Sequence, residues 1–396
     1  MMQQVAILGS TGSIGVNTLD VLARHPQRYR VFALTASTQV DKMLGQCVQF
    51  RPEVAVMASP DHAAVLAQHC KDHGLSTRVF GGAQHIEEVA ADERVEVVMA
   101  AIVGAAGRAA CMRAALAGKR LLLANKEALV VGGAVFLQAV ARGGARLLPI
   151  DSEHSAIFQS LPPDASTWAR QIDKLILTAS GGPFRNWPVA KLRDVTPEQA
   201  CAHPNWLMGR KISVDSATLM NKALEVIEAS YLFGVAAAGI DVVIHPQSVI
   251  HSMVQYRDGS VVAQLGTPDM RGPISYGLAW PERIESGAAT LDFPTLAALT
   301  FESIHSAEHR ARFPGLELAW QALAAASGTT AILNAANEVA VASFLQRKIR
   351  FDEIHAVNTE TLGRLSPSPV HGIGDLLALD RESRSCAQGV VARVSC

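Results

Sequence analysis

Short apolar runs alternate with helical periodicity through residues 1–150. Val5-Ala-Ile-Leu8 closes on Gly9-Ser-Thr-Gly12-Ser-Ile-Gly15, after which Ile14, Thr18, Leu19, Val21 and Leu22 recur at helical spacing. A second run, Arg30-Val-Phe-Ala-Leu-Thr35, follows. Val54-Ala-Val-Met57 precedes a predicted helix near 61–73, Val95-Glu-Val-Val-Met-Ala-Ala101 one over 107–117, and Arg120-Leu-Leu-Leu-Ala124 one over 127–142. Arg146-Leu-Leu-Pro-Ile150 is a last buried run. Continuous apolar strands separated by helices predict a parallel sheet covered on both faces, with ligands beyond the carboxyl ends of its strands.

The pattern then changes. Lys174-Leu-Ile-Leu-Thr178 reads as a strand ending at Ala179-Ser180-Gly-Gly182-Pro183. A helix capped by Asp215 or Ser216 is predicted to run to about Leu232, with Leu219, Leu224, Ile227 and Tyr231 on its apolar side. Asp241–His245, Ser252–Gln255 and Ser260–Leu265 read as strands, the last two joined by a hairpin turn at Arg257-Asp-Gly-Ser260. From Pro314 onward helical periodicity dominates, at 316–323, 331–345, 354–362 and 376–391. The expected fold is α/β: an N-terminal Rossmann-like parallel sheet (1–150), an α+β middle domain (151–285), a linker (286–312) and a C-terminal helical bundle (313–396). Asn334-Ala-Ala-Asn337-Glu338 is polar inside one of those helices and has no assigned chemistry beyond contact with the preceding domain.

Composition narrows the classes. The 396 residues are 49% apolar and 5% aromatic with a net charge of −1, which gives no reason to expect nucleic acid or an acidic surface as a partner. The six cysteines (Cys47, Cys70, Cys111, Cys201, Cys386, Cys396) lie far apart with no CxxC, and read as reduced thiols. No basic stretch followed by an apolar run precedes the first strand, and stretches such as 95–103 are far shorter than a membrane span. The expectation is a cytoplasmic protein without a membrane partner.

The candidate chemistry sits at strand ends. Strand, glycine turn and helix are the context of a dinucleotide site, although GxxGxxG is a less specific spacing than GxGxxG. At the end of the second strand, where an acid usually meets an NAD ribose, the chain has Ala36-Ser37-Thr38-Gln39. The missing acid favours NADP, and hydroxyls there can bond a 2′-phosphate, but no Lys or Arg stands at this tip. Lys126 in Asn125-Lys126-Glu127 can reach a substrate oxygen, and Asn125 or Glu127 a ribose; a helix start with a solvated Lys-Glu pair is the plainer alternative.

In Asp151-Ser152-Glu153-His154, extended backbone would point both acids the same way, making half of a hard-cation site. The alternative is a cap for a helix through Ala156, Ile157 and Leu161. Ser180 before a glycine pair is either an oxyanion cradle or a tight turn. His203-Pro-Asn-Trp206-Leu-Met208-Gly209 is either packed on the core or a lid. Ser216, Asn221 and Lys222 could hold a phosphate while Glu225 supplies a third metal carboxylate; otherwise Asn221, Lys222 and Glu225 are a solvent-facing stripe worth tenths of a kcal/mol.

Taken in order, Gly9–Gly15, Asn125-Lys-Glu127, Asp151-Ser-Glu153, Ser180-Gly-Gly-Pro-Phe184, His203-Pro-Asn-Trp206-Leu-Met-Gly209 and Asp215-Ser-Ala-Thr218 with Asn221, Lys222 and Glu225 resemble the 1-deoxy-D-xylulose 5-phosphate reductoisomerase family, from residue 4 to about residue 385. The resemblance implies an NADP-dependent oxidoreductase that rearranges 1-deoxy-D-xylulose 5-phosphate and reduces it with NADPH to 2-C-methyl-D-erythritol 4-phosphate, a precursor step of non-mevalonate isoprenoid synthesis. It implies a divalent cation (magnesium or manganese, with cobalt a further candidate) on Asp151, Glu153 and Glu225. It places the sugar phosphate on Lys126, Ser152, Glu153, Ser180, His203, Ser216, Asn221, Lys222 and Glu225. The coenzyme falls on Thr11, Gly12, Ser13, Ile14, Asn125, Glu127 and Gly209, with Ser37 and Gln39 at the 2′-phosphate. Lys126, His203 and the three acids would carry the chemistry, in a homodimer with a helical C-terminal domain and a lid bearing His203, Trp206 and Met208. One departure stands out: many members carry Gly with a basic or Asn-containing tip where this chain has Ser37-Thr38-Gln39. Two rival readings remain, a metal-free NADP-dependent dehydrogenase using Lys126 as proton donor and a non-catalytic NADP-binding sensor.

Overall fold

The computed structural model describes residues 2–102, 104–203, 209–367 and 369–394. The chain forms two compact units: Met1–Ala128 with Phe136–Ser155 and Asp269–Ala289, and Leu129–Val135 with Ala156–Pro268 and Thr290–Cys396.

The first unit is built on β1 (Gln3–Leu8), α1 (Ser13–Arg24), β2 (Tyr29–Ala36), α2 (Val40–Phe50), β3 (Val54–Met57), α3 (Pro60–Asp72), β4 (Arg78–Gly81), α4 (Ala83–Ala91), β5 (Val97–Ala100), α5 (Arg108–Leu116), β6 (Arg120–Leu123), β7 (Arg146–Pro149) and parts of two helices, α6 (Glu127–Gly143) and α7 (Ser152–Ser160), whose residues 129–135 and 156–160 belong to the second unit. Its strands form one parallel sheet in the order β4-β3-β2-β1-β5-β6-β7. Every residue of β3 and β5 is buried, so these strands read as unbroken apolar runs and both sheet faces are covered. The chain leaves β1 toward β2 on one side and returns to β5 on the other. The gap beyond β1 and β5 is therefore the switch point where ligands of such sheets bind. Gly9 stands there at φ +86, and a Cβ on it would lie 2.8 Å from the Ala101 carbonyl oxygen just past β5.

The sequence pattern did not anticipate β4 and α4. β4 is a four-residue edge strand that begins with exposed Arg78 and is only half-buried thereafter, so it carries no apolar run. The predicted continuous helix over 127–142 is also interrupted. Gly133 (φ +47, ψ −130) breaks α6, and a Cβ there would sit 2.9 Å from the Tyr231 hydroxyl.

The second unit holds α8 (Trp168–Gln171), β8 (Ile172–Ala179), α9 (Pro197–Ala200), α10 (Arg210–Ala217), α11 (Met220–Phe233), β9 (Ile240–Ile244), β10 (Ile250–Tyr256) and β11 (Val261–Leu265). The chain then returns to the first unit, where α12 (Arg271–Ala279) packs against α1, β6 and β7. It comes back through β12 (Glu302–Ser303), α13 (Ala307–Arg312), α14 (Leu318–Ala324), α15 (Thr329–Leu345), α16 (Glu353–Arg364) and α17 (Ile373–Val394). The sheet runs β11-β10-β8-β9-β12, with β8 and β9 parallel and the remaining pairs antiparallel. Leu224 and Ile227 of α11 join Leu175 and Leu177 of β8 in the core, while α15 packs on α16 and α17.

The helix predicted from Asp215 to Leu232 is two helices. Leu219 adopts φ +57 between α10 and α11, so neither Asp215 nor Ser216 is an N-cap; both end α10. The Leu219 side chain is 2% exposed within the core cluster, and that burial offsets a backbone conformation that costs of order 1–3 kcal/mol. Among the described residues no helix is long and apolar enough to cross a membrane. Cys47, Cys70, Cys111, Cys201 and Cys386 are free thiols. Burial pushes Cys47 and Cys111 up to about 12, which leaves them inert.

Candidate active site

In the first unit the glycine turn sits at the sheet's switch point. No side chain caps the N-terminus of α1, so its leading N–H groups are left without a side-chain acceptor at the cap. Thr11 is buried and Ile14 half-buried, whereas Gly12 and Ser13 are exposed. Gly15 is the tightest point: a Cβ there would fall 2.5 Å from both the Gly9 carbonyl oxygen and the Ser10 Cα. Helix α2 braces the turn. The Ser10 hydroxyl donates to Gln46 Oε1 (2.7 Å), Gln46 Nε2 donates to the Ser10 carbonyl (2.9 Å) and Lys42 Nζ donates to the Thr11 carbonyl (2.6 Å). Nothing in the sequence spacing pointed to this bracing. Ser37, Thr38 and Gln39 are exposed between β2 and α2.

Asn125 is 1% exposed. Its amide nitrogen donates to the Ile102 carbonyl and to that of Gly104 (3.1 Å), and its oxygen accepts from Ala128 N (2.8 Å) at the start of α6. It therefore locks the loop beyond β5 to the segment that presents Lys126 and Glu127. Strands β6 and β7 are parallel neighbours ending in register at Leu123 and Pro149. The residues just beyond them consequently meet: Lys126 Nζ lies 2.6 Å from Asp151 Oδ2, in a pair whose side chains are 13% and 22% exposed.

The acids do not lie on extended backbone. Asp151 precedes α7 and Glu153 is in its first turn, with Ser155 N donating to the Asp151 carbonyl (2.8 Å). The i, i+2 strand argument is thus corrected, because the strand ends at Pro149. The helix start keeps both carboxylates at one end of the sheet and suits Glu153 through the helix dipole. Ser152 Oγ donates to Glu153 Oε2 (2.5 Å).

In the second unit β8 is followed by Ser180-Gly181-Gly182, and both glycines have positive φ (+83 and +63). A Cβ on Gly182 would lie 2.7 Å from the Ser216 carbonyl oxygen, so only glycine lets this turn reach α10. Gly182 N donates to Ser180 Oγ (3.2 Å), and Ser180 Oγ lies 3.0 Å from His203 Nε2. Gly209 immediately precedes α10; Trp206 and Met208 lie outside the described residues. On α11, Glu225 is 0% exposed, accepts from Asn221 Nδ2 and forms an ion pair with Lys222, itself 4% exposed. The spacing was right but the solvent-facing stripe was not: a desolvated pair like this costs several kcal/mol per ion unless partners compensate.

Sequence reasoning also missed the setting of Asp215. It is 1% exposed, pairs with Lys211 (2.9 Å) and accepts from Asn337 Nδ2 (2.7 Å) of α15. Asn358 Nδ2 donates in turn to Asn337 Oδ1 (3.2 Å). The polar Asn337, left without chemistry by the sequence, ties α15 and α16 to the helix that presents Ser216.

A parallel sheet with a glycine turn at its switch point, and a lysine and carboxylates at its strand ends, defines an enzyme of the dinucleotide-dependent Rossmann class. The comparisons with known proteins narrow this. A family model described as 1-deoxy-D-xylulose 5-phosphate reductoisomerase matches residues 5–133, and models of its C-terminal domains match 147–233 and 265–386. The enzyme of that name from Ralstonia pickettii is 56% identical over 391 residues, 99% of this chain and 98% of that protein. The one from Laribacter hongkongensis is 55% identical over 97% of this chain and 98% of its own length. A DOX-P reductoisomerase solved with NADPH, fosmidomycin and magnesium superposes at a TM-score of 0.92, with 44% identity, covering 99% of this chain and 98% of that one. The Zymomonas mobilis enzyme solved with NADPH gives 0.91, 42% identity and 99% of each chain. The chain belongs to the 1-deoxy-D-xylulose 5-phosphate reductoisomerase family.

The glycine turn supplies a first test. In Gly15→Ala the added methyl meets backbone on two sides, so the turn must open. NADPH affinity, read by fluorescence titration, is expected to fall at least about tenfold. Unchanged affinity would remove the turn from the coenzyme site.

Proposed function

We propose that the protein rearranges 1-deoxy-D-xylulose 5-phosphate and reduces it with NADPH to 2-C-methyl-D-erythritol 4-phosphate, aided by a divalent cation. Family membership supports the reaction, as do relatives solved with NADPH and with magnesium. The observation that carries it is the buried Glu225 carboxylate, held by Asn221 and Lys222 on the helix that follows Ser216. Anion-binding donors and a desolvated carboxylate on one short stretch suit a phosphorylated substrate beside a cation.

We assign the cation to Asp151, Glu153 and Glu225. The donors are all carboxylates, a hard oxygen set that fits magnesium, manganese or cobalt and excludes no water from the remaining positions. We assign the coenzyme to Thr11, Gly12, Ser13 and Ile14 on the glycine turn, to Ser37 and Gln39, and to Asn125, Glu127 and Gly209; the turn left uncapped by any side chain fits a diphosphate. When bound, the dication supplies Lewis-acid stabilisation of oxyanions and the reduced nicotinamide supplies hydride. Lys126, with Asp151 beside it, donates to an oxygen on which charge develops. Ser152 orients Glu153 through its hydroxyl. Ser180, Ser216, Asn221 and Lys222 grip the phosphate, whose binding energy orients the substrate far from the reacting carbons. His203, hydrogen-bonded to Ser180, adds a polar contact to the substrate beside the phosphate grip.

We further propose a homodimer and a cytoplasmic location, with residues 1–150 serving the coenzyme, 151–285 catalysis and dimerisation, 286–312 as linker and 313–396 as a helical domain. Edge strand β11 exposes Val261 and Val262 (49% and 44%), which suits pairing with a second copy. A solution mass showing only monomer removes that part. For the activity, NADPH oxidation is expected with 1-deoxy-D-xylulose 5-phosphate and manganese, and is expected to cease on adding a chelator. Turnover indifferent to chelator would favour a metal-free dehydrogenase, and silence with every sugar phosphate a sensor.

A further inference from the structure

The coenzyme assignment leaves one charge unanswered. A 2′-phosphate is close to dianionic, and proteins that select it place a guanidinium or ammonium beside it. The tip between β2 and α2 offers only the hydroxyls of Ser37 and Thr38 and the amide of Gln39. A cation lies one step further on. Lys42, in the first turn of α2, is exposed, and its ammonium is fixed 2.6 Å from the Thr11 carbonyl of the glycine turn. That contact holds the charge against the segment assigned to the coenzyme, three residues after the tip.

The surroundings do not explain a lysine there. Ser10 is already tied to Gln46 in both directions, so the turn is braced without Lys42. The preceding Asp41 is exposed, yet among the described residues no carboxylate lies within ion-pair distance of the ammonium, whose partner is a neutral carbonyl. A cation in the first turn of an 11-residue helix also opposes the helix dipole, and no side chain caps α2 at Gln39. An anion seated at the tip would reverse that opposition and use the two remaining N–H groups of the ammonium.

We propose that Lys42 binds the coenzyme's 2′-phosphate together with Ser37, Thr38 and Gln39 and sets the preference for NADPH over NADH. This rests on the NADPH-dependent reading above. The test measures dissociation constants of the purified protein for NADPH and NADH by fluorescence titration, and for 2′,5′-ADP and 5′-ADP by calorimetry. In Lys42→Met, binding of NADPH and 2′,5′-ADP is expected to weaken about tenfold or more. NADH and 5′-ADP should stay within about twofold on the same scale. Lys42→Gln keeps a donor for the Thr11 carbonyl without the charge and should behave like Lys42→Met, while Lys42→Arg should restore most of the discrimination. Equal weakening of all four ligands, or Lys42→Gln matching the wild type, would reduce Lys42 to a brace for the turn. An unchanged preference in Lys42→Met overturns the proposal while the coenzyme reading stands. A wild-type protein that binds NADH as tightly as NADPH removes the coenzyme reading itself, and this proposal with it.

Discussion

Glu153→Gln is expected to lower turnover of 1-deoxy-D-xylulose 5-phosphate by roughly a thousandfold, the scale of losing a group that stabilises charge in the transition state. The substitution is nearly isosteric. The side-chain carbonyl can still accept from Ser152 Oγ, so the first turn of α7 keeps its local bond and the fold should not change. Lys126 keeps Asp151 as its partner, since neither residue is touched. What is lost is one negative hard donor from the set assigned to the cation. Titration with manganese, followed by its paramagnetic effect on water relaxation, should therefore show affinity weakened by at least about tenfold, with NADPH affinity within twofold. A metal-free dehydrogenase that relies on Lys126 would lose little activity. A threefold or smaller loss in turnover with manganese affinity intact would sink the metal assignment.

The sequence revealed most where burial is decided locally. The β1, β3, β5 and β6 runs were legible because a strand covered on both faces must be apolar at nearly every position. β4 was not, because an edge strand with Arg78 at its start has no such requirement. Two helix breaks escaped notice for another reason. Gly133 bends α6 around Tyr231, and Leu219 turns left-handed to place its side chain in the core; both respond to tertiary packing that no local window contains. Asn221, Lys222 and Glu225 were put on one helix face by their spacing, yet periodicity cannot say whether a polar face meets water. Here it is buried. The contact of Lys42 with the glycine turn carries no local signal, because a helix leans a side chain back toward its N-terminal end and the carbonyl it reaches lies 31 residues earlier. Asn337 escaped because its partners lie on other helices, 122 and 21 residues away.

That last residue carries the second large effect. Asn337→Leu preserves approximate volume and removes both hydrogen-bonding functions. Asp215, 1% exposed, loses its neutral donor on α15, and the Asn358 amide loses its acceptor. Lys211 remains paired with Asp215, so the carboxylate is not stripped of charge compensation. A broken buried polar network of this kind costs about 3–5 kcal/mol, at the upper end when a charge is involved. The unfolding midpoint is then expected to fall by roughly 10 °C. Because Ser216 directly follows Asp215 on α10, KM for the sugar phosphate should rise more than kcat falls. The companion Asp215→Leu should be similarly destabilising, but the double variant should cost clearly less than the sum, since the Asn337–Asp215 hydrogen bond is then lost once rather than counted in each single variant. Strict additivity in the melting experiment would mean that Asn337 and Asp215 act independently. The α15 contact would then contribute packing alone, and the C-terminal helices would lose their assigned part in positioning Ser216.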